Sequence, residues 1–179
     1  FLDNEDFFKR KTVFEDEQNN FYEDNSDRMI FFCKGTLETV RKFGWAPDVI
    51  HCMGWMTSLI PMFLKTTYKD DPVFAKAKVV YTVSQNSFTN KLKDNFVNQI
   101  KISDSITPKH VESFKGADNT SLNIGGAEFA DALIVEEELD ETVTKYIKKA
   151  KGKPMFKLTT VEQEALPLVN DFFQNIIGN

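Results

Sequence analysis

The residues of this sequence whose types and spacing could do chemistry lie between His51 and Ser58. His51 follows Val49 and Ile50, a β-branched pair typical of a buried parallel strand. At the carboxyl end of such a strand, the imidazole could donate a hydrogen bond to a hydroxyl or an oxyanion. A half-buried histidine satisfied by a backbone carbonyl is the structural alternative, and the residue type alone leaves it open.

The residues after His51 predict a sharp turn into a helix. Gly54 permits the turn, and residues 55–66 continue with a helical pattern. Ligands of open α/β sheets bind outside the carboxyl ends of the strands, near helix N-termini. We therefore predict a substrate-binding site that includes His51, Gly54, Trp55 and Thr57. For Trp55 a packing role is an equal alternative, and no residue is assigned as catalytic.

The remaining reactive side chains do not form a recognisable site. Cys33 and Cys52 are the only cysteines, and their positions suggest no disulfide framework. We expect both to be reduced and buried, as in a cytoplasmic protein. His51 and His110 are far apart and lack the spacing of metal ligands. We expect neither a metal nor a bound cofactor.

Composition limits the class of protein. The 179 residues suffice for one domain with a sizeable core, and 41% hydrophobic with 27% charged residues is ordinary for a globular protein. A net charge of -5 argues against nucleic-acid and anionic-membrane partners. No apolar run reaches the ~18 residues of a membrane span, and no signal peptide is visible. Because the chain starts at Phe1 rather than Met, we expect part of the natural N-terminus to be missing.

Alternating strand and helix patterns predict an α/β protein with a doubly wound, mostly parallel sheet. The predicted strands cover 48–52, 79–83 and 132–135, with 153–157 as a further edge strand or an extended crossing. Residues 3–24 are irregular, and a mobile surface loop is their simplest interpretation. The predicted helices cover 25–43, 55–66, 87–100, 108–114, 117–130, 141–151 and 161–177.

Individual residues refine the predicted helices. In the first helix, Met29 and Leu37 fall on the core face and Arg28 on the outer face. Pro61 should bend the second helix. Gly125 and Gly126 should let two backbones approach closely. Asp140, Thr159 and Thr160 are predicted helix caps.

Five blocks of the sequence, in order, resemble the glycogen and starch synthase family. The longest surrounds the candidate site and reads PDVIHCMGWMTSLIPMFLKT. It is similar to the family segment in which two histidines flank one residue ahead of a tryptophan. The other four blocks are FLDNEDFFKR, FYEDNSDRMIFFCKGTLETVRKFGW, AKVVYTVSQNSF and GGAEFADALIVEEELDETVTKYI.

The resemblance implies a fold and an activity. It implies the N-terminal, Rossmann-like half of a two-domain GT-B glycosyltransferase. In the complete enzyme, glucose is transferred from ADP-glucose to an α-1,4-glucan with retention at the anomeric carbon. The C-terminal half, which the resemblance implies makes most ADP-glucose contacts, has no counterpart in this sequence. The family's first strands and its Lys-Thr-Gly-Gly-Leu loop would precede Phe1. We therefore interpret residues 1–179 as a single partial domain.

Several positions depart from the family pattern. The first histidine of the motif is His51, but the second, which packs beside the transferred glucose, is replaced by Met53. A thioether offers no useful hydrogen bond to a sugar. Gly54 stands where many relatives have Asp, and Ser84 stands at the family histidine of the next block. Carboxylates at 136–138 replace small hydroxyl residues, and a solvated approach to a helix is their simplest interpretation.

These departures leave three hypotheses. The first is an acceptor-side synthase domain, with an α-glucan and possibly ADP-glucose as partners, that is inactive alone. The second is a non-catalytic glucan-binding or regulatory protein, in which aromatic residues stack on sugar rings. The third is one part of a split enzyme or an oligomer, with self-association through a bare sheet edge. The aromatic candidates of the second hypothesis are Tyr22, Trp45, Trp55 and Phe88.

Overall fold

A computed structural model of the chain describes residues 4–150, 152–159 and 162–178, with the backbone alone for 162–164. Four strands alternate with helices along the chain. The strands are β1 (Val49–Met53), β2 (Lys78–Val83), β3 (Ala132–Glu136) and β4 (Met155–Leu158). The helices are α1 (Glu5–Phe8), α2 (Asn25–Phe43), α3 (Ile60–Lys65), α4 (Phe96–Gln99), α5 (Asn119–Phe129), α6 (Glu141–Lys149) and α7 (Glu162–Ile177), with 3₁₀ turns at Trp55–Thr57 and Glu112–Phe114.

The four strands form one parallel sheet in the order β1-β2-β3-β4. Met53 pairs with Thr82, and Thr82 pairs with Ile134, so the strands end close together at one edge. Each crossover contains helical structure, as parallel pairing requires. The predicted α/β fold with a mostly parallel sheet is confirmed.

The two faces of the sheet bury different sets of side chains, because successive residues of a strand point to opposite faces. On one face, Tyr81 and Leu133 join the main core with α2, α3, α5 and α6. On the other face, Val80 and Ile134 form a smaller cluster with Ile176 of α7. The side chains of this second face extend along β1 to His51 and Met53, which places them under α7.

The predicted helix over 55–66 is wrong as one element. A 3₁₀ turn covers Trp55–Thr57, and α3 begins only at Ile60. The Ser58 hydroxyl donates to Trp55 O at 2.9 Å, which ends the first turn. Pro61 therefore lies in the first turn of α3, where its missing N–H costs nothing. Because a proline in the first turn does not interrupt a helix, this position gives no reason for the bend that we predicted at Pro61.

The helices predicted over 87–100 and 108–114 are mostly irregular. Only Phe96–Gln99 and a 3₁₀ turn at Glu112–Phe114 are helical. Leu92 N donates instead to Ala117 O at 2.7 Å, and Lys91 forms an antiparallel bridge with Asp118. This pairing with a distant segment takes the place of the local helical hydrogen bonds.

Arg28 is buried, which corrects its predicted outward position. Only 3% of the residue is exposed. Its guanidinium donates to Phe7 O at 2.8 Å, Val13 O at 2.7 Å and Asn25 Oδ1 at 2.6 Å. Phe7 and Val13 belong to residues 4–24, so these two hydrogen bonds fasten to α2 the segment that we expected to be a mobile loop. It also contains α1 and a bridge between Glu15 and Phe21.

The predicted caps have mixed outcomes. Asp140 caps α6 as predicted, since its Oδ1 accepts from Thr142 N at 2.8 Å and Val143 N at 3.3 Å. The predicted cap at Thr160 and the predicted helix start at residue 161 lie outside the described residues, and the cap at Thr159 stays a prediction.

Candidate functional site

The candidate site is the edge where β1 and β2 end. β1 continues through Met53, whose side chain is 58% exposed. Gly54 then turns the chain with φ 75° and ψ 163°, a conformation that only glycine adopts readily. Apart from its two chain neighbours, no described residue has an atom within 4 Å of the position that a Cβ on Gly54 would occupy. This side of the turn is therefore open to a ligand, whereas the Gly54 carbonyl already accepts from Thr57.

His51 lies inside β1 rather than at its carboxyl end, which corrects our predicted strand boundary. Its Nε2 lies 2.7 Å from Thr82 Oγ1, and its ring meets the Phe173 ring edge-on at 5.3 Å. The residue is exposed in part, but the packing of its ring between the sheet and α7 removes enough water to lower the pKa of His51 below its ordinary value. The imidazole faces α7.

Trp55 and Thr57 support the Gly54 turn. Trp55 is 5% exposed and packs edge-on against Phe88 at 5.4 Å. The Thr57 hydroxyl donates to Met53 O at 3.0 Å and to Gly54 O at 2.9 Å. Both side chains are thus occupied in holding the backbone of the turn, and direct contact with a substrate stays a prediction.

The four aromatic candidates for sugar stacking occupy different environments. Trp55 and Phe88 are core residues. The Tyr22 ring lies under the guanidinium groups of Arg10 and Arg28, at 4.4 and 5.3 Å. Trp45 is 67% exposed, so its ring has free surface for a ligand.

The loop that follows β2 is held by α5. Asn123 Nδ2 donates to Ser84 O at 3.0 Å and to Asn86 Oδ1 at 3.2 Å. Ser87 N donates to Asn119 Oδ1 at 2.7 Å. Our sequence reasoning assigned no role to these asparagines. Their place in a predicted helix, where asparagine is an unfavourable residue, was the available signal in the sequence.

The carboxylates at 136–138 do not form a tight pair. Glu136 Oε2 accepts from Gln85 N at 3.2 Å, while Glu137 and Glu138 are exposed. Among the described residues, no group of three or more His, Cys, Asp or Glu side chains is arranged to hold a metal ion.

Both cysteines are free and buried, as predicted. Burial raises the pKa of Cys52 to about 12 and that of Cys33 further still. Neither thiol is therefore a nucleophile at neutral pH. The cytoplasmic location inferred from them stays a prediction.

A cavity of about 410 Å³ lies between the sheet and α7. His51, Met53 and Thr82 are on its sheet side, and Ala165 and Phe173 are on its helix side. It opens beside the Gly54 turn, because Met53 lines the cavity and directly precedes Gly54.

The arrangement of β1, the Gly54 turn and the first turn after it matches the sequence block that resembles the synthases. The family model described as starch synthase catalytic domain matches residues 1–151. The chain belongs to the starch synthase catalytic domain family. The five-block resemblance is thereby confirmed.

Individual relatives agree with the family assignment. A glycogen synthase from Chlorobium limicola is 35% identical over 169 residues, covering 92% of this chain and 32% of that protein. A glycogen synthase from Chlorobium luteolum is 37% identical over 142 residues, covering 78% and 28%. One from Desulforudis audaxviator is 30% identical over 132 residues, covering 74% and 25%. The chain spans a third or less of the length of these curated relatives.

None of the helices in the described part of the chain is both long enough and apolar enough to cross a membrane.

Proposed function

We propose that this domain forms the acceptor-side wall of a synthase-type glucosyl-transfer cleft. The observation that carries the proposal is the open turn at Gly54, on the edge where parallel strands end, within the block that resembles the synthases. An α-1,4-glucan is the proposed ligand of this wall, and ADP-glucose the proposed donor in the complete reaction.

Each predicted site residue has a distinct proposed part. The Gly54 backbone contacts the glucan, because no side chain separates it from solvent. Trp55 and Thr57 hold the turn through the Phe88 ring and the Met53 carbonyl. His51 supports Met53 from two positions earlier on the same strand face. Sugar recognition thus depends on backbone groups fixed before the ligand arrives.

We propose that the chain is inactive alone. Retaining transfer requires groups on two walls that exclude water and stabilise developing positive charge on the sugar. This domain supplies one wall, and Met53 offers no hydrogen bond. Incubation of the purified chain with ADP-glucose and glycogen should give no glucosyl incorporation. Incorporation above that of a heat-inactivated sample would overturn the proposal of inactivity.

A second candidate function is glucan binding without catalysis. The exposed thioether of Met53 at the position of the family histidine, together with the exposed ring of Trp45, favours it. Titration with maltoheptaose and with ADP-glucose tests both candidates. Binding of glucan alone, with ADP-glucose still unbound by Met53→His, is expected of either, since the first takes its nucleotide contacts from another segment or a partner. ADP-glucose binding gained by Met53→His supports the first.

The organisation of the protein is also a proposal. We propose that residues 1–179 form a single partial domain and that nucleotide contacts come from a different chain segment or a partner. The outer edge of β1 carries no charged residue or proline, whereas β4 carries Lys157 and follows Pro154. Proline and lysine protect sheet edges from pairing. Self-association through β1 is therefore proposed, and a monomeric mass at high protein concentration would contradict it.

A further inference from the structure

The cavity under α7 is built differently from a sugar site. Its floor includes Thr82, Ile134 and Leu158 from the sheet, and its roof includes Ala165 and Phe173. None of the described residues that line it is an acid, a lysine or an arginine. Its volume of about 410 Å³ is within the range of small-molecule sites.

One polar pair faces this mainly apolar and partly open cavity, whose lining residues Met53 and Leu166 are 58% and 68% exposed. His51 Nε2 and Thr82 Oγ1 are 2.7 Å apart, so one donates to the other. Among the described contacts, His51 Nδ1 has no hydrogen-bond partner. The pair can therefore offer a ligand one or two further hydrogen bonds. The remaining wall offers only van der Waals contact, supplied in part by the Phe173 ring at 5.3 Å from the imidazole.

This chemistry selects the ligand class. A glucose unit carries several hydroxyls, and each hydroxyl left without a partner in an apolar cavity costs free energy. A charged ligand would meet no opposite charge among the described residues that line the cavity. We propose that the cavity binds a neutral, mainly apolar small molecule with one hydroxyl or carbonyl oxygen, held by His51 and Thr82. The site adjoins the glucan surface at Gly54, with Met53 at the border of both, and the inference does not depend on the proposed function.

The test uses 1-naphthol, a neutral fluorescent probe with one hydroxyl, titrated against the full chain. Ala165→Phe fills the cavity from α7, and Leu168→Phe is the matched control, because Leu168 is 48% exposed and does not line the cavity. We expect saturable binding by the wild type and by Leu168→Phe, with affinity lower by at least about tenfold in Ala165→Phe. Helical circular dichroism and the thermal midpoint verify that each variant is folded.

A second comparison tests the polar pair even if Ala165→Phe fails to fold. The wild type should bind 1-naphthol several-fold more tightly than naphthalene, and Thr82→Val should reduce this preference. Absence of saturable binding by the wild type would overturn the proposal. So would unchanged affinity in a folded Ala165→Phe, an unchanged preference in Thr82→Val, or competition by maltoheptaose.

Discussion

Gly126 of α5 lies directly against the ring of Tyr81 in β2. A Cβ placed on this glycine would lie 2.6 Å from Tyr81 Cε2 and Cζ, closer than real Cβ contacts. A Cβ placed on the neighbouring Gly125 would likewise lie 2.3 Å from the Phe114 ring. The glycine pair therefore lets α5 approach the sheet closely enough for Asn123 to reach the loop after β2, so helix packing and the candidate site are linked.

Gly126→Ala should destabilise the domain by about 1–3 kcal/mol. Alanine gains about 1 kcal/mol of helix propensity over glycine, but the methyl group must displace a fully buried tyrosine ring. Urea unfolding measures the change. Gly178→Ala is the control, since its Cβ would make an ordinary contact of 3.4 Å with Gln174 O. Equal stabilities for the two variants would disprove the close approach.

Arg28→Met should lower the free energy of unfolding by about 3 kcal/mol, because two carbonyls and the Asn25 amide oxygen lose a charged donor. Hydrogen exchange in residues 4–24 should accelerate more than exchange in the sheet. Arg41→Met is the control on the same helix, and its exposed pair with Glu38 predicts a change within about 0.5 kcal/mol. Unchanged exchange in residues 4–24 would show that Arg28 does not fasten this segment.

Asn123→Asp should loosen the loop after β2. The substitution keeps the size of the side chain but replaces the Nδ2 donor, so Ser84 O and Asn86 Oδ1 face an oxygen. Amide exchange at Gln85 and Ser87 should rise by about tenfold. Tyr81→Phe removes the 3.3 Å contact on the other side of Asn123 and should leave both amides protected. If both variants behave alike, Asn123 is a packing residue only.

His51 should make stability depend on pH near neutrality. Because burial lowers the pKa of His51 in the folded state, the unfolded chain takes up its proton first as the pH falls through about 6.5. Its contribution to stability is therefore full above that pH and declines below it. Urea unfolding from pH 7.5 to 5.5 should show a steeper loss for the wild type than for His51→Gln, with His110→Gln as the control. Parallel curves for wild type and His51→Gln would contradict the lowered pKa of His51.

The parts of the fold that sequence predicted well are those specified locally. Helix α2 ends at Phe43 as predicted, because Gly44 at φ 65° ends the apolar periodicity with a left-handed residue. The β-branched runs of β2 and β3 are buried strands. Both signals depend on neighbours within a few residues.

The errors arose where distant contacts decide the conformation. Phe88, Leu92, Phe96 and Ile100 have helical spacing and are all buried, yet most of that segment is irregular, and Lys91 and Leu92 pair with residues 117–118 instead. We placed Arg28 on the solvent face of its helix because helical periodicity does not reveal the carbonyls of residues 4–24 that bind it. At the candidate site, the sequence located the Gly54 turn. The position of α7 over His51 could not be predicted, because it depends on contacts between distant segments.

The most direct test of the acceptor-wall proposal is calorimetric titration of the chain with maltoheptaose, using two glycine variants. Gly54→Ala strains the turn at the proposed surface, whereas Gly44→Ala places the same change at another positive φ, 65°, before β1. The proposal predicts saturable binding by the wild type and by Gly44→Ala, weakened by at least about tenfold in Gly54→Ala. Absence of binding by the wild type, or equal affinity in all three proteins, would contradict a glucan surface at the Gly54 turn.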